Sequence, residues 1–243
     1  MNLYGKAAIV KTILEAERNS KLFFNRFEGQ ESFEVSPIAD TWFIKFMYML
    51  GRGIPKENVR EILDNIAFVV FNYDRCVEHF LTHALRKLYN IGEDEAASIV
   101  ADLHIVHPYG VVPYKIPFGS TGANCVQAAV QIKTYTEQSR ASDVITEIAA
   151  EMQRAKCIVF LGFAHHSQNM NLLRPAERAT ARPIFGTALG MSDSDVEVVL
   201  NDLSNFFSIG MPSKMRARII RLENKLTCAD LFDNYARSLS GGD

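Results

Sequence analysis

The chain contains 243 residues and carries a formal net charge of −2, with 48% hydrophobic and 22% charged residues. This composition is typical of a globular protein with a full core, which excludes disordered and fibrous classes, and the missing basic surplus argues against a general nucleic-acid binder. The four cysteines lack the paired spacing of a zinc site and no apolar run is long enough to span a membrane, so we expect a cytoplasmic protein without zinc.

Residues 1–65 are predicted to form a helical segment that packs on a sheet. Apolar residues recur at helical spacing over residues 6–18 and again over about 39–50. Pro55 then suits the first turn of another short helix, because the backbone of proline is already set for that position.

Three short apolar runs are predicted to be strands, because continuous β-branched and aromatic residues are typical of a strand buried on both faces. They lie at residues 66–71, 103–107 and 157–161. Helices are predicted between them, at about residues 75–88, 93–101 and 143–156. Strands that alternate with helices indicate βαβ units around a parallel sheet, so the predicted class is α/β, with the core at residues 66–210.

The other segments have weaker patterns. Residues 111–140 are rich in Pro, Gly and Thr and are predicted to be a long excursion that could contain a hairpin. Ser194 and Glu197 have the spacing of a capping box for a helix that ends near residue 207. Residues 211–243 are predicted to be a helical tail, in which the basic run is a solvated helix face.

Ligands of parallel α/β sheets bind at the carboxyl ends of the strands. Polar residues follow each predicted strand there, at residues 72–74, 107–110 and 162–171. The Asn72 carboxamide can hold a water or a ligand hydroxyl, and the His107 imidazole can act as a general base near neutral pH. Simpler interpretations remain open: Asn72 and Asp74 could cap the following helix, and His107 could be a structural histidine at a strand end. Gly162 could serve only as a turn.

A metal-dependent hydrolase is an alternative suggested by the histidines. His104 and His107 have His-x-x-His spacing, and His165 and His166 supply two more imidazoles. Positions three apart on a strand point to opposite faces, which argues against a metal shared by the first pair unless the strand ends between them.

Several motifs together resemble a known family. Phe71-Asn72-Tyr73-Asp74 precedes an amphipathic helix, His107-Pro108-Tyr109-Gly110 follows, and Phe160-Leu161-Gly162-Phe163 stands upstream of Asn169. In this order they resemble the bacterial sirtuin-like domains that consume NAD in antiphage defence, over most of residues 5–200. The resemblance implies a Rossmann-like parallel sheet and a hydrolase that uses NAD as its substrate.

The resemblance also implies roles for individual residues. Asn72 and His107 would be the catalytic pair, which cleaves the ribose–nicotinamide bond through an oxocarbenium-like state. Asn72 would position the water, and His107 would engage the ribose hydroxyls. Asp74 would meet the nicotinamide carboxamide, and Gly162 with Phe163 would lie under the adenosine half of NAD. The remaining implied cofactor-binding residues are Tyr73, Gly110 and Asn169.

The chain departs from the family at its start. The family begins with a strand and a Gly-Ala-Gly-x-Ser turn that binds pyrophosphate, whereas Tyr4-Gly5-Lys6 here follows no strand. We expect a chain whose first βα unit is missing, because it is a fragment or a late-start version of a longer protein, because a partner supplies the strand, or because the domain is degenerate. The exposed edge of the incomplete sheet predicts association, and we expect a homo-oligomer or a missing N-terminal segment. The alternative function is an inactive module of a longer defence protein, which binds an ADP-ribose-like nucleotide or assembles with itself.

Overall fold

The computed structural model describes residues 2–30, 32–134, 137, 142–175, 181–207 and 219–240. The chain divides into two compact units, Met1–Ala141 and Ser142–Asp243, each with helices around a small parallel sheet. The α/β class is therefore confirmed, while the boundary between the units falls inside the segment that the sequence predicts as one core.

The first unit is mostly helical. Its α-helices are α1 (Leu3–Asn19), α2 (Trp42–Gly51), α3 (Cys76–Tyr89), α4 (Glu93–Asp102) and the short α5 (Cys125–Ala128). Its 3₁₀ helices are Arg26–Glu28, Ser36–Ile38, Lys56–Leu63 and Ala129–Gln131. The helices predicted in the N-terminal segment are thus confirmed. The excursion after residue 110 forms α5 and a 3₁₀ turn, and its described residues contain no hairpin.

A two-stranded parallel sheet lies in this unit, built from β1 (Ala67–Val69) and β2 (His104–Val106). Ala67 pairs with His104 and Val69 with Val106, and the amide of Val70 donates to the Val106 carbonyl at 2.9 Å. Both predicted strands exist, but Ala67 is exposed and its two neighbours in β1 are only partly buried. The expectation that this strand is buried on both faces is therefore wrong.

A buried ion pair ties α1 to the start of α3. The Arg75 guanidinium donates to both carboxylate oxygens of Glu17, at 3.0 and 2.6 Å, and both side chains are almost fully buried. Arg75 also donates to the carbonyls of Pro113 and Ile116, and Glu17 accepts from the amide of Gly119 at 3.0 Å. The pair therefore fixes the loop of residues 113–119 against two helices.

The second unit contains β3 (Ile158–Phe160), β4 (Ile184–Thr187) and β5 (Ile220–Glu223), paired in parallel in that order. Its helices are α6 (Ser142–Arg154), α7 (Ser167–Leu172), α8 (Asp193–Phe207) and α9 (Cys228–Leu239). The third predicted strand is confirmed as β3, and β4 is new.

The prediction of a helical tail over residues 211–243 is wrong at Ile220–Glu223, which form β5. Ile220 is buried and pairs with Ile184, while Arg221 is exposed, so the alternation has a period of two residues and not that of a helix. The helix α9 follows it, and residues 211–218 lie outside the described residues.

The cap of α8 also differs from the prediction. The Ser192 hydroxyl donates to Asp195 Oδ2 at 2.7 Å and accepts from the Asp195 amide at 3.1 Å. This reciprocal pair stands two residues before the predicted pair of Ser194 and Glu197, at the same spacing. No helix in the described ranges has the length and apolar content that crossing a membrane requires.

Candidate functional site

The carboxyl edge of the β1–β2 sheet brings the two predicted catalytic residues together. His107 directly follows β2, and Asn72 lies three residues beyond β1. The distance from His107 Nδ1 to the Asn72 carbonyl oxygen is 3.3 Å. The Asn72 side chain is exposed, and its carboxamide has no hydrogen-bond partner among the described residues. The contact between the two residues therefore runs through the backbone of Asn72, and its side chain is open to a ligand.

A glutamate that the sequence analysis did not single out completes this site. Glu78 is the third residue of α3, and its Oε1 accepts hydrogen bonds from His107 Nε2 at 2.8 Å and from the Tyr114 hydroxyl at 2.7 Å. The side chains of His107 and Glu78 are only 7% and 12% exposed. Glu78 Oε2 is buried without a partner in the described part of the chain. We call Glu78, His107 and Tyr114 the carboxylate–imidazole cluster.

The electrostatics of the cluster favour an ionised Glu78. Burial is the largest single effect on this carboxyl group and raises its pKa. The hydrogen bonds from His107 and Tyr114, the charge of His107 and a backbone hydrogen bond act in the other direction, and the pKa lies below its ordinary value. Burial and the hydrogen bond to Glu78 raise the pKa of Tyr114, so its hydroxyl stays a donor. A carboxylate that holds an imidazole is the arrangement that orients a histidine for proton transfer.

Asp74 and Cys76 have local roles at the start of α3. Asp74 Oδ1 accepts from the amide of Cys76 at 3.0 Å, which is an Asx-type turn that leads into α3, while the cap position itself is Arg75. Burial, followed by the charge of Asp74, raises the pKa of the Cys76 thiol, which makes it a poor nucleophile. The role of Asp74 toward a nicotinamide stays a prediction.

Tyr73 and Gly110 both pack against the excursion that follows β2. The Tyr73 hydroxyl donates to the Lys133 carbonyl at 3.0 Å, and burial raises its pKa. Gly110 has a φ of +80°, and a Cβ at this position would lie 2.0 Å from the Gln131 carbonyl oxygen. Internal packing is therefore sufficient to explain both residues, and their part in binding a cofactor stays a prediction.

The other predicted residues lie in the second unit. Gly162 has a φ of +59°, and its amide donates to Thr187 Oγ1 at 3.0 Å. Phe163 packs on the ring of Phe160 at 5.3 Å, and Asn169 lies partly buried in α7. The turn that the sequence predicts after β3 is present, and its role toward adenosine stays a prediction.

His165 is the unusual residue of that turn. It is buried at a φ of +54°, between Phe160 at 5.2 Å and Phe163 at 5.0 Å. Burial lowers its pKa to about 4, so the ring is a neutral part of the packing. In the described ranges, no three His, Cys, Asp or Glu side chains are placed to hold a metal ion.

Comparison with known proteins gives no relative. No family model matches the chain, and no curated protein or solved structure is significantly similar to it.

Proposed function

We propose that this chain is a sirtuin-like domain of Rossmann type that cleaves the nicotinamide–ribose bond of NAD. The observation that carries the proposal is the placement of His107 beside Asn72 at the carboxyl edge of two parallel strands, with a buried carboxylate on the imidazole. This edge is where α/β sheets bind their ligands. The motifs that resemble the family at residues 71–74 and 107–110 supply these same residues.

In the proposed reaction, the exposed Asn72 carboxamide holds a water beside C1′ of the nicotinamide ribose, and His107 accepts a proton from that water. The water oxygen forms a bond to C1′ while the bond from C1′ to the nicotinamide nitrogen breaks, and its electron pair goes to the nicotinamide ring. The products are ADP-ribose, nicotinamide and one proton. Positioned proton transfer of this kind contributes about 10²–10⁴-fold to a rate.

Binding of an ADP-ribose-like nucleotide without cleavage is the second candidate. It is favoured by the burial of His107, whose ring nitrogens both face acceptors of the protein itself. A His107 ring held by two hydrogen-bond acceptors can stabilise a binding surface, and the binding of a nucleotide requires no proton transfer from this ring.

The test follows nicotinamide release from NAD by chromatography. We expect release by the unaltered chain and a loss of about 10²–10⁴-fold in His107→Ala and in Asn72→Ala. His104→Gln is the matched control, because it removes the imidazole at the start of β2, three residues before His107, and should leave release intact. Equal release by all variants would contradict the assigned roles.

No release by the unaltered chain at high concentration would contradict the hydrolase. In that case, a rise in melting temperature with ADP-ribose would support the binding module, because a ligand that binds only the folded state stabilises it.

A further inference from the structure

The two nitrogens of the His107 ring face acceptors of unequal strength. Nε2 lies 2.8 Å from a carboxylate oxygen of Glu78, whereas Nδ1 lies 3.3 Å from the neutral carbonyl of Asn72. A neutral imidazole carries one proton, so it can donate to only one of them. Hydrogen bonds to an ionised acceptor are about twice as strong as neutral ones, so the proton belongs on Nε2.

The opposite tautomer would be unfavourable. A proton on Nδ1 would place the lone pair of Nε2 against the Glu78 carboxylate at 2.8 Å, with no hydrogen between the two acceptors. Tyr114 cannot relieve this contact, because its hydroxyl already donates to the same oxygen, Oε1.

We infer that Glu78 is a positioning residue that holds His107 as the Nε2–H tautomer, so that Nδ1, beside Asn72, is the nitrogen that accepts the proton. This inference deepens the proposed function and rests on it for its catalytic part. Which nitrogen of a histidine acts is set by the hydrogen bond of the other, and Glu78 supplies that bond here.

The same arrangement suits the protonated ring. Once Nδ1 has taken up a proton, the new N–H faces the Asn72 carbonyl at 3.3 Å, and the positive charge lies beside the Glu78 carboxylate. Both N–H groups of the protonated ring therefore have an acceptor without turning the ring.

Two substitutions of Glu78 separate its hydrogen bond from its volume. Glu78→Met keeps a long side chain but removes the acceptor, so Nδ1 should take the proton and donate to Asn72. Glu78→Gln keeps an oxygen where Oε1 stands, because both neighbours of that oxygen, Nε2 and the Tyr114 hydroxyl, are donors. We therefore expect the Nε2–H tautomer to persist in Glu78→Gln.

The tautomer is measured from long-range ¹⁵N–¹H correlation spectra of the histidine rings at pH 8, with the His107 signals identified by their loss in His107→Gln. We expect Nε2–H in the unaltered chain, in Glu78→Gln and in Tyr114→Phe, and Nδ1–H in Glu78→Met. A proton on Nδ1 in the unaltered chain, or the same tautomer in all four proteins, would overturn the inference.

Kinetics test the catalytic part. Glu78→Met should lose about 10²–10⁴-fold in kcat for nicotinamide release with little change in KM, and Glu78→Gln should stay within about tenfold of the unaltered chain. A kcat in Glu78→Met equal to that of the unaltered chain would overturn the role of Nδ1. If the unaltered chain releases no nicotinamide, the proposed function fails, while the spectra still decide whether Glu78 sets the tautomer.

Discussion

We expect the first unit to lose stability in weak acid because of two buried histidines on α3. His79 and His83 lie one helical turn apart, with ring centroids 4.7 Å from each other. The His79 ring stacks on Phe118 at 3.9 Å, and its Nε2–H donates to the Leu22 carbonyl at 3.0 Å. His83 is 2% exposed. Both rings are therefore packed as neutral groups.

The surroundings of both rings oppose their protonation. Burial, followed by the charge of His83, lowers the pKa of His79 from 6.5 to about 3, although the carbonyl of Leu22 acts in the other direction. Burial, followed by the charges of Arg26 and Arg86, lowers the pKa of His83 from 6.5 to about 4.

The lowered pKa values of both histidines determine how the free energy of unfolding changes with pH. The unfolded chain binds protons at both histidines once the pH falls below about 6.5, and the folded chain does not until the pH nears 4 or 3. The stabilisation is therefore complete above pH 6.5 and is lost as the pH falls toward the folded-state pKa values. For His79 alone, about 1.4 kcal/mol per pH unit gives a loss of about 2 kcal/mol between pH 7.5 and pH 5.

His79→Phe should reverse its effect on stability between these two pH values. The variant keeps the stack on Phe118 but leaves the Leu22 carbonyl without its donor, so it should be about 1 kcal/mol less stable at pH 7.5. At pH 5 the unaltered chain has lost about 2 kcal/mol through His79, and the variant should be about 1 kcal/mol more stable.

The assay is urea unfolding followed by the fluorescence of Trp42, which is the one tryptophan of the chain and lies in α2 of this unit. Tyr89→Phe is the matched control, because it also removes a donor to a backbone carbonyl, that of Ile54, without removing a histidine. Its cost should be the same at both pH values. A difference between His79→Phe and the unaltered chain that stays constant from pH 7.5 to 5 would refute the reasoning.

Two further predictions concern stability and use the same assay. Gly110→Ala should cost at least about 2 kcal/mol more than Gly53→Ala, because both glycines have a φ near +80° but only a Cβ at Gly110 meets the Gln131 carbonyl; equal costs would contradict the close approach. Arg75→Met should cost about 3–5 kcal/mol by leaving the buried Glu17 carboxylate unpaired, and adding Glu17→Leu should recover part of this loss. A loss in Arg75→Met below about 1 kcal/mol would mean that the pair contributes little to the fold.

The sequence predicted those strands whose pattern is local. The apolar runs at residues 66–71, 103–107 and 157–161 each contain one, because few other structures accommodate such a run. The sequence analysis did not predict β4 or β5, and for β5 the reason is physical. The residues of β5 alternate apolar and charged side chains inside a basic segment, and their strand conformation depends on pairing with β4, which is a tertiary effect.

The site was predictable only where the sheet edge determines it. Because β1 and β2 are parallel, Asn72 and His107 must follow their strands at the same edge, and the structure places them in contact. Glu78 lies in a helix, where an acid in the first turn is ordinarily attributed to the helix dipole. The available signal was its position, since the first turn of a helix that follows a strand faces that same edge.

The position of Tyr114 over Glu78 follows from the buried ion pair. Arg75 donates to the carbonyls of Pro113 and Ile116, which flank Tyr114, and Arg75 itself precedes α3 by one residue. A buried ion pair is weak support for stability, since a hydrophobic replacement of similar volume often serves as well. A hydrophobic contact is not directional, however, whereas the planar guanidinium fixes several carbonyls at once. The ion pair is therefore better explained by the geometry it imposes: it anchors the loop of residues 113–119 so that the Tyr114 hydroxyl and His107 Nε2 converge on one oxygen of Glu78.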